Sequence, residues 1–374
     1  MLKHVVLATL AAVAFAACSD DDSNGTGPGP SDPSSNAVYV QTNAADENAV
    51  IAFRRAGDGR LAPLGTFFTD GQGTGNPRLG SQGSVVLSED GGFLFVTNIG
   101  SNEISAFAVT EDGLRLVDKV DSGGEMPYSI ALRGDLMYVL NNGGSGNVTG
   151  FRVSSEGELS PIEGSTRALS GPDTDPAQVS FSPDGATLVV TEKATDRIDT
   201  YAVGADGLVQ GPVVHASSGG TPFGFAFTSG GVFVVTEAFD AAPGAAAASS
   251  YTLSGAAGFQ LISGTVRDTQ TDVCWTVITN DGRFAYVTNF GSGTISSYTI
   301  AGDGSLTLLA AEAGRTGPGL GPRDEDLSED GRFLYVVDVL TQAISAFEVR
   351  ADGSLAPVGT FGGLPTTVAG LAAN

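Results

Sequence analysis

Seven apolar runs along the chain each end on a polar residue: VYVQTN at Asn43, FLFVTN at Asn98, LMYVLN at Asn141, TLVVTE at Glu192, VFVVTE at Glu237, FAYVTN at Asn289 and FLYVVD at Asp338. The end points are 43 to 55 residues apart, and strand-only units of that period stack as propeller blades. A second alternating segment follows, as in EISAFAV (103–109), RIDTYAV (197–203) and AISAFEV (343–349). Its period of two predicts a packed strand. A Gly-containing turn and another strand come next, as in DGLRLVDKV and DGSLAPVGT, and a short run such as PAQVSFSPDG precedes the repeat. Each unit is therefore a four-stranded antiparallel blade, its strands a to d counted outward from the axis.

Counting the turns adds a closure. The c–d turn occurs seven times, at Gly59, Gly113, Gly157, Gly207, Gly258, Gly304 and Gly353. The a–b turn occurs six times, at Gly91, Gly134, Gly185, Gly231, Gly282 and Gly331. Such hairpin turns need positive φ, which glycine accepts. The missing turn falls where the chain begins and ends, so the C-terminal PTTVAGLA is predicted to supply strand a of the N-terminal blade. That pairing closes the ring of blades. The expected fold is all-β, one seven-bladed propeller over 37–374.

The N-terminus departs from this pattern. MLKHVVLATLAAVAFAACSDDDS has Lys3, an apolar run from Val5 to Ala17 and then Cys18. The run is too short to span a membrane and reads as a secretory signal. Small residues before a cysteine, then an acidic Gly/Pro/Ser-rich stretch to about Asn36, resemble a bacterial lipoprotein signal. On that reading 1–17 is removed, Cys18 is lipidated, and 18–36 is a flexible tether. The expected location is the cell envelope, at a membrane reached through the lipid; cleavage without lipidation is the alternative. A net charge of −24 repels phosphate backbones, so nucleic acid is not expected as a partner. Beside Cys18 only Cys274 remains, so no disulfide joins the blades. The propeller reads as a monomer held by packing.

The same repeats carry a likeness. SQGSVVLSEDGGFLFVTNIGSNEISAFAV (81–109), FSPDGATLVVTEKATDRIDTYAV (181–203), DGRFAYVTNFGSGTISSYTIAGDGSL (281–306) and SEDGRFLYVVDVLTQAISAFEVRADGSL (328–355) resemble the seven-bladed β-propeller lactonase family. That family includes 6-phosphogluconolactonase and 3-carboxymuconate cyclase-type enzymes. The resemblance spans the whole expected propeller. It implies lactone chemistry in the central cleft, with His, Arg and carboxylates as the working groups and no cofactor. The chain departs in one respect: past the leader its single histidine is His215, in the outer-strand segment VQGPVVHAS. Neither a multi-histidine metal site nor a Ser-His-Asp triad is available.

In a propeller the d–a and b–c loops share one face around the channel, the default ligand site. The seven strand-b end residues are expected to form a ring there. Asn and Asp at strand ends also cap nearby backbone. Glu192 and Glu237 lie in adjacent blades and are longer than a cap requires, so they are candidates for acid and base roles. Aligned inner strands put Tyr128, Phe223, Cys274 and Arg323 nearest that face, with Gln178, Trp275 and Asp324 next. Val85, Ile130, Val179, Phe225, Thr276 and Glu325 come after them. Glu325 thus replaces a core residue, and a buried carboxylate must be protonated, paired or hydrated. Arg323, with Arg78 and Gln82 of NPRLGSQGS, is the nearest partner, either in a structural ion network or gripping an anionic substrate. Trp275 either packs or stacks on a ring ligand. Cys274 has no base to activate it.

The expected function is therefore a lactonase-like hydrolase or cyclase acting on a small anionic lactone. Arg78 or Arg323 holds the anion, Gln82, Tyr128, Gln178, Trp275 and Glu325 line the site, and Glu192, Glu237 or Asp324 moves the proton. The alternative is a noncatalytic envelope module that binds a protein, a glycan or a small ligand. No metal is expected.

Overall fold

A computed structural model describes residues 36–76 and 79–374, which form seven sheets of antiparallel strands arranged as propeller blades. The signal and tether expected over 1–35, Cys18 among them, and Arg78 lie outside the described residues. Blade one runs outward as Ala369–Ala373, Ala37–Gln41, Ala49–Arg55 and Leu61–Phe68. Strands a and b of the next six blades are Val85–Leu87 and Phe93–Asn98, Pro127–Arg133 and Leu136–Asn141, Pro176–Phe181 and Thr187–Glu192, Pro222–Phe227 and Val232–Glu237, Val273–Ile278 and Phe284–Asn289, and Pro322–Leu327 and Phe333–Asp338.

The C-terminal strand closes the ring as the turn count requires. Val38 pairs with Ala373 and Val40 with Leu371. Asn374 locks the join: its Oδ1 accepts from Ala37 N at 2.7 Å and its carbonyl from Arg55 Nε at 3.0 Å. Two details differ from expectation. Blade three has a broken outer strand, Leu159–Pro161 and Arg167–Ala168, both paired to Asn147–Val153. In blade five the left-handed turn residue is Gly255, at φ 66°, three residues before Gly258.

Blade faces pack on each other, so strand b is buried on both sides and reads as continuous Val, Leu, Phe and Tyr. Between blades four and five, Val189 and Ile198 meet Phe225, Phe233, Val235 and Tyr251. The threonine just before the strand-b end adds a polar staple. Thr191, Thr236 and Thr288 donate to the carbonyls of Phe223, Cys274 and Arg323, the second residue of strand a in the following blade. Register also fixes the equivalence of the inner strands. Val85, Ile130, Val179, Phe225, Thr276 and Glu325 each face the valine two residues before the end of strand b. Among the described residues no helix is long and apolar enough to cross a membrane.

Candidate functional site

The strand-b end residues are all fully buried. They lie inside the blades, where they tie down d–a loops. Glu192 Oε1 accepts from Ser170 N at 2.9 Å, and Oε2 accepts from Ser170 Oγ and Thr195 Oγ1. Glu237 Oε1 accepts from Gly219 N and Ser249 Oγ. Burial raises the Glu237 pKa, with those hydrogen bonds opposing the rise. Asp338 accepts from Thr316 Oγ1, Leu340 N and Thr341 N. Asp199, on strand c, faces Glu192 without a hydrogen bond of good geometry. Burial and that neighbour push it up to about 8. Four sister blades carry Ser105, Ser249, Ser296 or Ser345 seven to twelve residues after the strand-b end.

Several other candidates protect the innermost strand edge. Strand a has no inward neighbour, so its channel-facing N–H groups need acceptors. Ser129 Oγ accepts from Val179 N, Gln178 Oε1 from Phe225 N, and Asp324 Oδ2 from Leu371 N, each bridging to the next blade. Blade five has Gly224 at this position, and Gln82 of blade two crosses the axis instead. Its Oε1 accepts from Thr276 N at 3.3 Å and its Nε2 donates to Thr276 O at 3.0 Å. A Cβ on Gly224 would lie 2.3 Å from Gln82 Oε1. Asp326 repeats the device on Ala373 N.

At the d–a end of the axis, Tyr128, Trp275 and Arg323 come together with Lys193, whose place beside Glu192 suggested a pair with that carboxylate or a solvent-facing side chain; it is buried and pairs with Asp175 instead. Lys193 follows Glu192, where five of the six sister blades carry Ala44, Ile99, Ala238, Phe290 or Val339. A charge in an apolar column was the signal that could have found it. Its Nζ lies 4.8 Å from the Phe223 ring centre and 5.9 Å from that of Tyr128, and 3.3 Å from Asp175 Oδ1. Burial holds its pKa below the ordinary lysine value, the Asp175 charge opposes the fall, and the nearby Arg323 charge adds to it. Arg323 stands over Phe290 at 4.2 Å and Trp275 at 5.6 Å.

The segment 79–82 closes the axis here through three successive carbonyls. Leu79 O accepts from Arg323 Nη1 at 3.3 Å, Gly80 O from Lys193 Nζ at 2.8 Å and Ser81 O from Trp275 Nε1 at 2.9 Å. The donors come from blades seven, four and six. Among the described residues fifteen non-glycine residues have positive φ, and all but Thr265 lie in b–c or d–a connections; eight of them are Asn or Asp, which tolerate this conformation in turns. Cys274 is buried beside this cluster, and burial pushes its thiol pKa up, which disfavours the thiolate a nucleophile needs. His215 sits in the outer strand of blade four, between Thr200 Oγ1 at 2.9 Å and Ala256 O at 3.0 Å.

Beyond Gln82 the axis opens toward the a–b turns. A cavity of about 290 Å³ is lined by Gln82, Gln178, Asp324, Glu325 and Asp326 among aliphatic side chains. A wider mouth of about 500 Å³ adds Arg133, Asn280 and Glu329. Burial pushes Asp324 up to about 8 and Asp326 to about 7, and Glu325 well above the carboxylate range. Glu192 and Glu237 line neither cavity.

A family model described as Lactonase, 7-bladed beta-propeller matches residues 32–173 and 260–374, more than half of the chain. The chain belongs to this lactonase propeller family. Solved structures agree on the fold. A Lactobacillus plantarum protein aligns with TM-score 0.73 and 19% identity, covering 90% of this chain and 98% of its own. The Pseudomonas aeruginosa periplasmic gluconolactonase aligns with TM-score 0.69 and 18% identity, covering 90% and 99%. A Bacteroides fragilis protein assigned provisionally to the 6-phosphogluconolactonases gives 0.69 and 21%, covering 92% and 99%. An uncharacterized Staphylococcus aureus protein is 39% identical over 77 residues, a match that spans 20% of this chain and 22% of that relative. In this lactonase-family propeller the family match includes Trp275 and Arg323, whereas Lys193 falls in the stretch 174–259 between its two segments.

Proposed function

We propose that the protein hydrolyses a small anionic lactone at the d–a end of the axis. One observation carries this reading: Lys193 and Arg323, from blades four and seven, stand over the Phe223 and Phe290 rings and donate to the successive carbonyls of Gly80 and Leu79. Membership of the lactonase family supports it. A ligand would displace the carbonyls of 79–81 and take their donors. Arg323 is suited to hold a carboxylate or phosphate, and Lys193 Nζ to polarise the lactone carbonyl, where a cation in a desolvated site acts strongly. Asp175, beside Lys193 and half exposed, is placed to take a proton from attacking water. Water oxygen then bonds to the carbonyl carbon, the ring C–O bond breaks, and the proton passes to the departing alkoxide, giving the hydroxy acid. Tyr128, Phe223 and Trp275 would bracket the ring.

The cell-envelope location, the lipid on Cys18 and the monomeric state complete the proposal; the leader composition and the periplasmic gluconolactonase of like fold support the address. The noncatalytic reading has one observation in its favour: the carbonyls of 79–81 already occupy all three donors. Turnover separates the two. Gluconolactone, 6-phosphogluconolactone and carboxymuconolactone would be offered to the intact protein and to Lys193→Met and Arg323→Met, with circular dichroism as the control for folding. Hydrolysis of one anionic lactone that is lost in both folded variants is expected. No turnover across the panel, or turnover indifferent to both substitutions, overturns the enzyme reading.

A further inference from the structure

We propose that the a–b half of the axial channel is a binding site for a small aliphatic amine, whose ammonium pairs with Glu325. Three observations lead there, none of them dependent on lactone chemistry. Glu325 is only 2% exposed, and neither of its carboxyl oxygens has a hydrogen-bond partner. Its neighbours Asp324 and Asp326 are occupied by backbone N–H groups of the closing strand. A buried carboxyl without a partner is costly, and such a group beside a cavity marks a missing donor.

The cavity specifies the rest of the ligand. Its lining contains Asp324, Glu325 and Asp326 and no Lys, Arg or His, so the complement is a cation. Val85, Ile130, Val179, Val277 and Leu371 form its walls, which suits an alkyl body. Its volume of about 290 Å³ lies near the lower end for small-molecule sites. A bare metal ion fits poorly, because among the described residues no three carboxylate, histidine or cysteine side chains converge closely enough to hold one. Entry is through the a–b mouth, where Glu89 and Glu329 flank the approach and Arg133 is engaged with the Pro183 carbonyl. The acidic surface adds long-range attraction for a cation.

Calorimetric titration of the intact protein tests this with butylamine and 1,4-diaminobutane, against butanol, 1,4-butanediol, calcium and magnesium. The expected result is saturable binding of one amine per chain. A proton is released as Glu325 ionises, so the measured heat changes with the ionisation enthalpy of the buffer. Glu325→Gln, nearly isosteric, is expected to weaken binding about tenfold or more, the scale of one lost buried ionic contact. Glu325→Val, which restores an apolar residue at this position, should abolish the proton release while the fold persists. Equal binding of alcohol and amine, an unchanged affinity in Glu325→Gln, binding of the divalent ions in place of the amines, or no binding at all overturns the proposal.

Discussion

The two halves of the axial channel are built from the same inner strands and carry opposite kinds of ionisable group. At the d–a end these are the cations Lys193 and Arg323, with Asp175 beside Lys193; toward the a–b end they are the carboxyls of Asp324, Glu325 and Asp326. Arg323 and Glu325 are two residues apart on one strand. The cations bond outward-turned carbonyls and lie on ring faces, which compensate a desolvated positive charge. Two of the carboxyls meet the complementary need, accepting the N–H groups that an innermost strand leaves unpaired. Glu325 meets neither, and this asymmetry separates a supported cluster from an unfinished one.

The largest effect tests the cationic end. Replacing Lys193 with Met removes the group proposed to polarise the lactone carbonyl, and loss of one such donor lowers kcat by roughly 10²–10³-fold. Steady-state kinetics on the best lactone, with melting temperature as a control, measures it. A loss confined to KM would assign Lys193 to anchoring alone.

The acidic end is tested by stability. Glu325→Val replaces a buried unpaired carboxyl by a residue sister blades carry, and should raise the melting temperature by roughly 2–6 °C. The pH dependence has a definite sign. Asp324 and Asp326, pushed up to about 8 and 7, and Glu325, raised well above the ordinary carboxylate value, keep their protons in the fold at pH values where the unfolded chain has lost them. The native state therefore binds more protons, and stability falls with rising pH. This contribution is fully present below pH about 4, the ordinary carboxylate value, and is lost as pH climbs through about 7 and 8. Denaturant unfolding between pH 5 and 9 reads the slope, and Glu325→Val should flatten it.

The propeller and its closure were legible because packing imposes period two within strands and a fixed unit between blades; thirteen glycines and seven strand-b ends sufficed. Glu325 was legible by the same comparison, as a misfit in an apolar column. Lys193 is an equal misfit, but the length of its side chain, which carries Nζ from the end of strand b to the axis, has no signature in spacing. Glu192 and Glu237 show the opposite limit. Their extra methylene spans to Ser170 and Gly219, a loop-capping geometry that needs the third dimension to be seen. Gln82 was placed near the channel, yet its bridge to Thr276 depends on Gly224 leaving room across the axis.

A smaller effect should separate buried acid inside a blade from buried acid at the axis. Asp199 belongs to blade four, away from both cavities, and its pKa of about 8 gives it the same sign of pH dependence. Asp199→Ser installs the residue of four sister blades and leaves Glu192 its Ser170 and Thr195 donors. A gain on the order of 1 kcal/mol at pH 8, vanishing near pH 4, is expected from denaturant unfolding. No change in amine binding should accompany it.

The smallest effect falls on the segment that covers the cations. Trp275→Phe deletes the Nε1–H that holds Ser81 O at 2.9 Å but keeps an aromatic face beside Phe223, whose ring centre lies 5.4 Å away, and beneath Arg323. One hydrogen bond of this kind contributes about 1 kcal/mol, so global stability should change little. Amides of 79–82 should exchange faster with deuterium by about fivefold, a difference of that size. If a ligand competes with these carbonyls for the same donors, loosening one of three contacts lowers KM while kcat holds. A KM that rises instead would mean that the indole itself contacts the ligand, and that the d–a end reads its substrate through Trp275 as well as through Lys193 and Arg323.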